Sequence, residues 1–202
     1  MSEAAFNGLP GPLPAGERLL WQGSPNWFAL ALRAFRVKAL SIYFSLMVLW
    51  VGAAAMSGGA SVGEAGREML RVAPFAMGVL LLLSGIAWLT ARTTTYTITN
   101  RRVVVRYGIA LPLTLNLPFK MVASAAVRSF GDGTADLPLT LTDSNKVSYL
   151  LLWPHARPWR MVRPQPAMRA VPGGARVAEI LAGALAAASG QPVPKVAPTT
   201  QP

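Results

Sequence analysis

The sequence predicts an α+β membrane protein: a two-helix transmembrane hairpin followed by a small antiparallel β-barrel or sandwich that a C-terminal helix closes. Two long stretches without charge, between Lys38 and Glu64 and between Arg71 and Arg92, predict the hairpin. Short β-branched segments separated by turn residues follow the second stretch and predict the barrel or sandwich. Apolar residues at helical spacing within positions 177–188 predict the closing helix.

The composition limits the chemistry that the chain can carry. Hydrophobic residues make up 52% of the 202 residues and charged residues 13%, whereas soluble domains carry about 25% charged residues. The chain has no cysteine and one histidine, which excludes disulfides, thiolate metal sites and histidine-cluster metal sites. His155 lacks the Ser and Asp spacing of a catalytic triad, so we interpret it as a packing or surface residue. We therefore expect no enzyme activity and no cofactor.

Three acidic residues near turn signals are the remaining candidates for a metal site: Asp132, Asp136 and Asp143. They lack the ligand spacing of a calcium-binding loop, so we interpret them as turn-forming residues. The glycines on either side of Asp132 do not make a phosphate loop either, because no Lys-Ser or Lys-Thr that opens a helix follows them.

The uncharged stretches match the thickness of a membrane. Twenty residues lie between Arg71 and Arg92, and at about 1.5 Å per residue a helix of that length reaches roughly 30 Å, the thickness of a hydrocarbon core. Pro74 is expected in the first turn of the second helix, where its missing N–H has no partner to lose. Basic residues flank the hairpin on its outer sides, so both termini are expected in the cytoplasm. Only the turn around residues 56–71 is expected on the other side of the bacterial inner membrane.

The chain divides into four consecutive parts, a cytoplasmic N-terminal segment, the transmembrane hairpin, a cytoplasmic domain and a disordered tail: residues 1–38, 39–91, 92–190 and 191–202. In the first part, residues 18–21 predict a short strand or turn. Residues 27–40 predict an amphipathic helix. That helix either lies in the headgroup layer, with tryptophan at the interface, or extends the first span into the cytoplasm.

The sequence of the cytoplasmic domain predicts a series of antiparallel strands. Residues 93–99 and 103–109 are β-branched and flank a tight turn at Asn100 and Arg101. A further hairpin is expected from two segments, residues 137–142 and 146–152.

A proline-rich basic segment follows these strands. Residues 153–174 hold five prolines, four arginines and no acid, and such a segment can form neither a helix nor a central strand. We expect it to lie extended over a surface, ahead of the closing helix at residues 175–189.

This basic segment is the best candidate for a binding surface. Arg157, Arg160 and Arg163 recur every three residues, so they would share one face of a polyproline-like segment, with Trp153 and Trp159 as apolar anchors. The surface fits anionic lipid headgroups or an acidic protein surface, and the plain alternative is a solvated linker. Nucleic acid is not an expected partner, because insertion at the membrane accounts for part of the positive charge. Three further arginines are assigned to the candidate surface: Arg101, Arg102 and Arg169.

The sequence also resembles a known family. The run YTITNRRVVVRYGI, residues 96–109, resembles the opening hairpin of bacterial pleckstrin-homology domains, and the helix at residues 175–189 fits their closing helix. Four segments in order are similar to the photosynthetic-complex assembly proteins of purple bacteria (the PuhB type): LPAGERLLWQGSP, ALALRAFRVKALSIYF, YTITNRRVVVRYGIALPLTLNLPF and WPHARPWRMVRPQP. The resemblance covers residues 9–190.

This resemblance implies a pleckstrin-homology-like fold and a function without catalysis. The family assists assembly of the photosynthetic reaction centre and its light-harvesting core complex, which implies that this chain binds cytoplasmic surfaces of their subunits. The implied partners are reaction-centre subunits, the H subunit in particular, light-harvesting polypeptides and membrane lipid, with a second copy of the chain as a further partner. The alternative function is a module that binds anionic lipid headgroups as a general membrane scaffold.

Overall fold

The computed structural model describes residues 11, 13–142, 152–156 and 164–190. Its helices are α1 Trp27–Arg33, α2 Val37–Ser57, α3 Val62–Thr93 and α4 Gly174–Ser189. Its strands are β1 Leu19–Gly23, β2 Thr95–Thr99, β3 Arg102–Tyr107, β4 Leu113–Pro118, β5 Val122–Ala125, β6 Arg128–Ser129, β7 Thr134–Leu141 and β8 Ala167–Pro172.

Helices α2 and α3 form the predicted antiparallel hairpin, joined by a short turn. Helix α3 begins at Val62 because Ser61 and Glu64 form a capping box, in which the Ser61 backbone N donates to Glu64 Oε2 at 2.8 Å. The turn expected at residues 56–71 is therefore shorter than predicted, since α2 ends at Ser57 and α3 already begins at Val62. The position of residues 56–71 beyond the membrane stays a prediction. Pro74 lies inside α3 and not in its first turn, where it removes one backbone hydrogen bond from the helix.

Both helices are long and apolar enough to cross a membrane. Helix α2 has 21 residues and α3 has 32, so at about 1.5 Å per residue they reach roughly 30 Å and 48 Å. Only 6% of the most apolar stretch of α2 and 11% of that of α3 is buried, whereas a core helix of a soluble protein is mostly buried. Large apolar side chains therefore point outward along both helices, among them Leu46, Trp50, Phe75 and Leu82.

The first sheet has the strand order β1-β2-β3-β4, and all neighbouring strands are antiparallel. Strand β1 precedes the helical hairpin and β2 follows it, so the hairpin is inserted between two paired strands. Gly23, the last residue of β1, pairs with Tyr96 near the start of β2. The chain therefore leaves and re-enters the sheet at the same end, which we call the proximal end. The opposite end, at the turn between β2 and β3, is the distal end.

The second sheet is built around β7. Strands β5 and β6 pair with successive parts of β7, and β8 pairs with it from the other side. The two sheets do not join into a closed barrel within the described residues, so the expected barrel is wrong. Pro118, at the end of β4, and the 3₁₀ turn Phe119–Met121 redirect the chain from the first sheet into the second, which interrupts the backbone ladder.

The proline-rich segment forms a strand over part of its length. Residues Ala167–Pro172 are β8, at the edge of the second sheet, where proline is tolerated. The strand expected at residues 146–152 is wrong at its described residue, Leu152, which is helical; the rest of that range lies outside the described residues. The backbone N of His155 donates to Leu152 O at 2.6 Å, so the chain turns at this point.

One hydrophobic core joins the two sheets to α4. Ile98 and Val103 of the first sheet and Leu137 and Met168 of the second are fully buried in it. Helix α4 contributes an apolar stripe to the same core: Val177, Ala178, Leu181 and Ala184. The closing helix is therefore where the periodicity predicts it. We call the two sheets and α4 together the head.

The packing of α4 on β7 predicts opposite effects of two glycine substitutions in one helix. An added Cβ at Gly174 would lie 2.6 Å from the backbone N of Ala135, so Gly174→Ala should lower the free energy of unfolding by about 1–3 kcal/mol, as overpacking does. An added Cβ at Gly183 meets nothing within 4 Å, so Gly183→Ala should raise it by up to about 1 kcal/mol through helix propensity. Thermal unfolding of the full chain in detergent measures both, and equal midpoints would contradict the packing.

Candidate functional site

The arginines of the predicted binding surface do not form one basic patch. Four residues of that surface lie outside the described residues: Arg157, Trp159, Arg160 and Arg163. Arg101 and Arg102 lie at the distal end of the first sheet, whereas Arg169 lies in β8 of the second sheet. Two of these three arginines, Arg102 and Arg169, form ion pairs within the protein.

Arg102 holds the N-terminal segment against the distal end. Its Nε and Nη2 donate to the two carboxylate oxygens of Glu17 at 2.7 and 2.9 Å, and the Glu17 side chain is only 3% exposed. Burial would raise the pKa of Glu17, but hydrogen bonds from Arg102 and Thr99 and the charge of Arg102 outweigh it, so the pKa lies below its usual value. Arg101, the neighbouring residue, is exposed and remains a candidate for partner contact.

Arg169 points into the interior of the head. The residue is 7% exposed, and its Nε donates to Asp136 Oδ2 at 3.4 Å. The backbone N of Ala170 donates to the other oxygen, Asp136 Oδ1, at 2.8 Å. Asp136 lies in β7, so the prediction that it forms a turn is wrong. Its physical role is to neutralise a buried cation, which would otherwise be strongly destabilising.

A buried hydrogen-bonded chain of three side chains lies beside Arg169. His155 is 1% exposed, its Nδ1 lies 2.8 Å from Tyr96 Oη, and its Nε2 lies 3.1 Å from Thr94 Oγ1. Burial and the charge of Arg169 lower the pKa of His155 to about 3, so the imidazole is neutral at neutral pH and each ring nitrogen has a partner. His155 is thus a packing residue that ties residues 152–156 to the start of β2.

Helix α1 is fastened to the second sheet through its last residue. Arg33 forms an ion pair with Asp132, donates to Thr134 Oγ1 at 2.6 Å, and lies over the Phe130 ring with its guanidinium carbon 3.7 Å from the centroid. Burial would raise the pKa of Asp132, but hydrogen bonds from Thr134 and the charge of Arg33 outweigh it, so the pKa lies below its usual value. This contact joins a helix before the hairpin to a turn far beyond it.

Asn26 fastens the first turn of α1 to the same sheet. Its Oδ1 accepts from the Ala29 backbone N at 3.0 Å as an N-cap, and its own backbone N donates to Ala170 O at 2.8 Å. Ala170 has a φ of +52° within β8, a conformation that alanine rarely adopts. The strained residue is the one whose carbonyl accepts from Asn26, so the strain coincides with the contact that holds α1.

The inner face of α1 packs on the C-terminal part of α3. Leu30 of α1 is buried in one cluster with Ala87 and Ala91 of α3, and small residues such as alanine allow helices to approach closely. Helix α1 therefore lies between the hairpin and the second sheet and contacts both. We call the contacts of α1 with α3 and with the second sheet the α1 junction.

One of the two interpretations of residues 27–40 is wrong. They do not form one helix that extends the first span, because the chain breaks at Arg36, whose φ is +56°. The interpretation as a helix in the headgroup layer stays a prediction. Trp27 and Phe28, which would lie among the lipids, are 45% and 56% exposed.

Sequence reasoning missed the α1 junction for a physical reason. Asn26 directly precedes an apolar run and could have been recognised as an N-cap. The pair Arg33–Asp132, which belongs to the junction, joins residues that are 99 positions apart, and the buried pair Tyr96–His155 elsewhere in the head joins residues that are 59 positions apart. No local pattern marks such pairs, since they arise only when the two sheets and the hairpin are assembled.

The neutral state of His155 predicts a stability that falls as the pH is lowered. Its folded pKa of about 3 lies below the ordinary value of about 6.5, so between these values the unfolded chain binds a proton that the folded chain does not. The free energy of unfolding should therefore fall by up to about 1.4 kcal/mol per pH unit below pH 6.5, and His155→Gln should flatten this dependence. Unfolding in detergent between about pH 7 and pH 5.5 measures it; equal slopes for both proteins would contradict a buried neutral histidine.

Comparison with known proteins assigns the family. Residues 33–184 match the family model described as Bacterial PH domain. The chain is 37% identical over 195 residues to an uncharacterised 23.7 kDa protein in the puhA 5′ region of Rhodobacter capsulatus, a match that covers 95% of this chain and 90% of the relative. No solved structure matches the chain at a significant level. On the extent of the family match, the chain belongs to the bacterial PH domain family.

Proposed function

We propose that the chain is a membrane-anchored, non-enzymatic assembly factor for the photosynthetic reaction centre and its light-harvesting core complex. It would act by binding cytoplasmic surfaces of their subunits, with the H subunit as the first candidate partner. The observation that carries this proposal is the relative in the puhA 5′ region, because puhA is a photosynthesis gene. That relative matches 95% of this chain, so the similarity includes the hairpin and the head together.

In the proposed topology, α2 and α3 cross the inner membrane and both chain ends are cytoplasmic. Helix α3, at roughly 48 Å, is longer than a hydrocarbon core of about 30 Å, so its ends would emerge from the bilayer. At the head end, Arg92 lies over Trp88, with its guanidinium carbon 4.7 Å from the ring centroid, which suits a membrane interface. At the other end, Arg71 pairs with Glu68 at 2.6 Å. Three basic residues lie at the head ends of the two helices, Arg36, Lys38 and Arg92, and they support a cytoplasmic head.

The α1 junction supports a mechanism in which the head and the hairpin act as one unit. Helix α1 packs on α3 on one side and is fastened to the second sheet through Asn26 and Arg33 on the other. The head would therefore keep one orientation to the membrane. Anchoring confines it to two dimensions and raises its effective concentration near newly inserted subunits.

The predicted basic surface remains the proposed partner contact. The described residues on either side of it, Ala156 and Pro166, form a β-bridge with each other. His155, next to that bridge, contacts Thr94 directly after α3. The described residues that flank Arg157, Trp159, Arg160 and Arg163 therefore lie near the proximal end. This position of the flanking residues supports the proposed contact with the cytoplasmic face of a membrane subunit. Binding of a second copy is a further proposed role of this surface.

The same placement favours a second candidate function, the binding of anionic lipid headgroups as a general scaffold. Each basic residue near an anionic surface contributes about 1 kcal/mol. A fragment that starts at residue 92 is unsuitable for testing this, because it would lack β1 and with it the outer strand of the first sheet. The full chain in nanodiscs of neutral or anionic lipid distinguishes the two functions.

The proposed function predicts a loss of assembly on charge reversal of Arg157, Arg160 and Arg163. Changing all three to Glu should lower the yield of assembled reaction centre several-fold, because the acidic partner surface would be repelled, while membrane insertion stays unchanged. Changing all three to Lys keeps the charge and should retain most of the yield. Crosslinking in membranes that make photosystem, followed by purification of the chain, should recover reaction-centre or light-harvesting polypeptides with the unmodified chain and far less with the Glu variant.

An unchanged yield in the Glu variant would remove these arginines from the mechanism. Recovery of lipid without any photosynthetic polypeptide would favour the headgroup-binding function over assembly.

A further inference from the structure

The loop between β3 and β4 displays apolar side chains that the head does not cover. Ile109 is 48% exposed, Leu111 79% and Leu113 43%. Leu111 is more exposed than any other large apolar residue of the described chain, including those on α2 and α3. Clustered apolar exposure of this kind on a folded domain marks a contact surface.

The exposure of Leu111 follows from a fixed backbone geometry. Gly108 has a φ of +119°, and a Cβ at this position would lie 2.1 Å from the carbonyl oxygen of Leu111. Only glycine permits so close a return of the chain. The loop is therefore a tight turn that holds the side chains at its tip away from the core.

The strand register places this loop at the proximal end of the head. Arg106, two residues before Gly108, pairs with Thr95 of β2, and Thr95 follows almost directly on the last residue of α3, Thr93. Tyr107 pairs with Leu113 across the loop. The loop therefore projects from the same end of the sheet at which α3 enters it.

Further apolar and basic side chains are exposed at this end. Trp27 and Phe28 of α1 are 45% and 56% exposed, and Trp153 is 48% exposed while it packs edge-on against Phe35 at 5.1 Å between ring centroids. Arg106 is exposed next to the loop. Apolar tips beside cations are typical of surfaces that lie in the headgroup layer of an anionic membrane.

We propose that the β3–β4 loop inserts Ile109 and Leu111 into the cytoplasmic leaflet of the membrane that α2 and α3 cross. Arg106 then faces anionic headgroups beside the inserted loop. The inference rests on the proposed membrane anchoring and goes beyond it, because it adds a contact between the head itself and the lipid. Together with α1 and the hairpin, the loop would fix the tilt of the head.

Lipid is favoured over a protein partner because the loop projects from the end of the head at which the apolar helices α2 and α3 join it. The outward apolar faces of α2 and α3 end where the proximal end begins. A bilayer around those helices would cover the loop tip without any further binding partner. The positive charge of Arg106 matches the negative surface potential of the cytoplasmic leaflet.

A single-cysteine experiment on the full chain tests the proposal. The chain has no cysteine, so an environment-sensitive fluorophore on Leu111→Cys reports one position. Lys120→Cys is the matched control, because Lys120 is exposed and lies at the distal end, where Phe119 N donates to Arg101 O. Leu46→Cys, on the outward face of α2, reports the anchoring itself. Each variant is reconstituted in phosphatidylcholine–phosphatidylglycerol vesicles that contain nitroxide-labelled acyl chains.

The proposal predicts blue-shifted emission and quenching for the Leu111→Cys probe that is several-fold stronger than for Lys120→Cys, at every ratio of protein to lipid. Quenching at Leu46→Cys with none at Leu111→Cys would overturn the loop insertion and leave the anchoring intact. No quenching at Leu46→Cys would overturn the anchoring. Shielding of Leu111→Cys without quenching, appearing only at high protein density, would assign the loop to a contact with a second copy and contradict insertion.

Discussion

The pairing of β1 with β2 is the constraint on which the rest of this protein depends. These two strands are neighbours in the first sheet although the whole helical hairpin lies between them in the chain. The hairpin must therefore leave and re-enter the sheet at one end. If α2 and α3 cross the membrane, that end of the head faces it. The exposed apolar and basic side chains at this end, on the β3–β4 loop, on α1 and at Trp153, would then all lie close to the lipid.

The α1 junction also limits how far the head can rotate relative to the hairpin. Two covalent connections alone would allow the head to pivot, but α1 fills the space between α3 and the second sheet. Arg33 contributes an ion pair, a hydrogen bond and a ring contact to one side of that packing, and Leu30 contributes apolar burial to the other. A binding function at a membrane gains from such rigidity, because less orientational freedom is lost when a partner is bound.

The parts of the fold that could be predicted from the sequence are those with a local physical cause. Apolar length predicts the hairpin, β-branched alternation predicts the first sheet, and helical periodicity predicts α4. The prediction that Pro74 lies in the first turn of α3 is wrong because the capping box at Ser61 starts the helix at Val62, well before the uncharged stretch that begins after Arg71. The buried contacts of Arg169 with Asp136 and of His155 with Tyr96 could not be predicted, since the two partners in each contact come from different strands or segments. A basic residue in a sequence therefore does not by itself indicate a surface charge.

The sidedness of the chain in membranes is the most direct test of the proposal that the hairpin spans the membrane and fixes the head on the cytoplasmic side. Ser57→Cys, at the exposed end of α2, and Lys120→Cys, at the distal end of the head, can be treated with a membrane-impermeant thiol reagent in spheroplasts and in inverted membrane vesicles. The account predicts labelling of Ser57→Cys only in spheroplasts and of Lys120→Cys only in inverted vesicles. Labelling of both positions from the same side would contradict it.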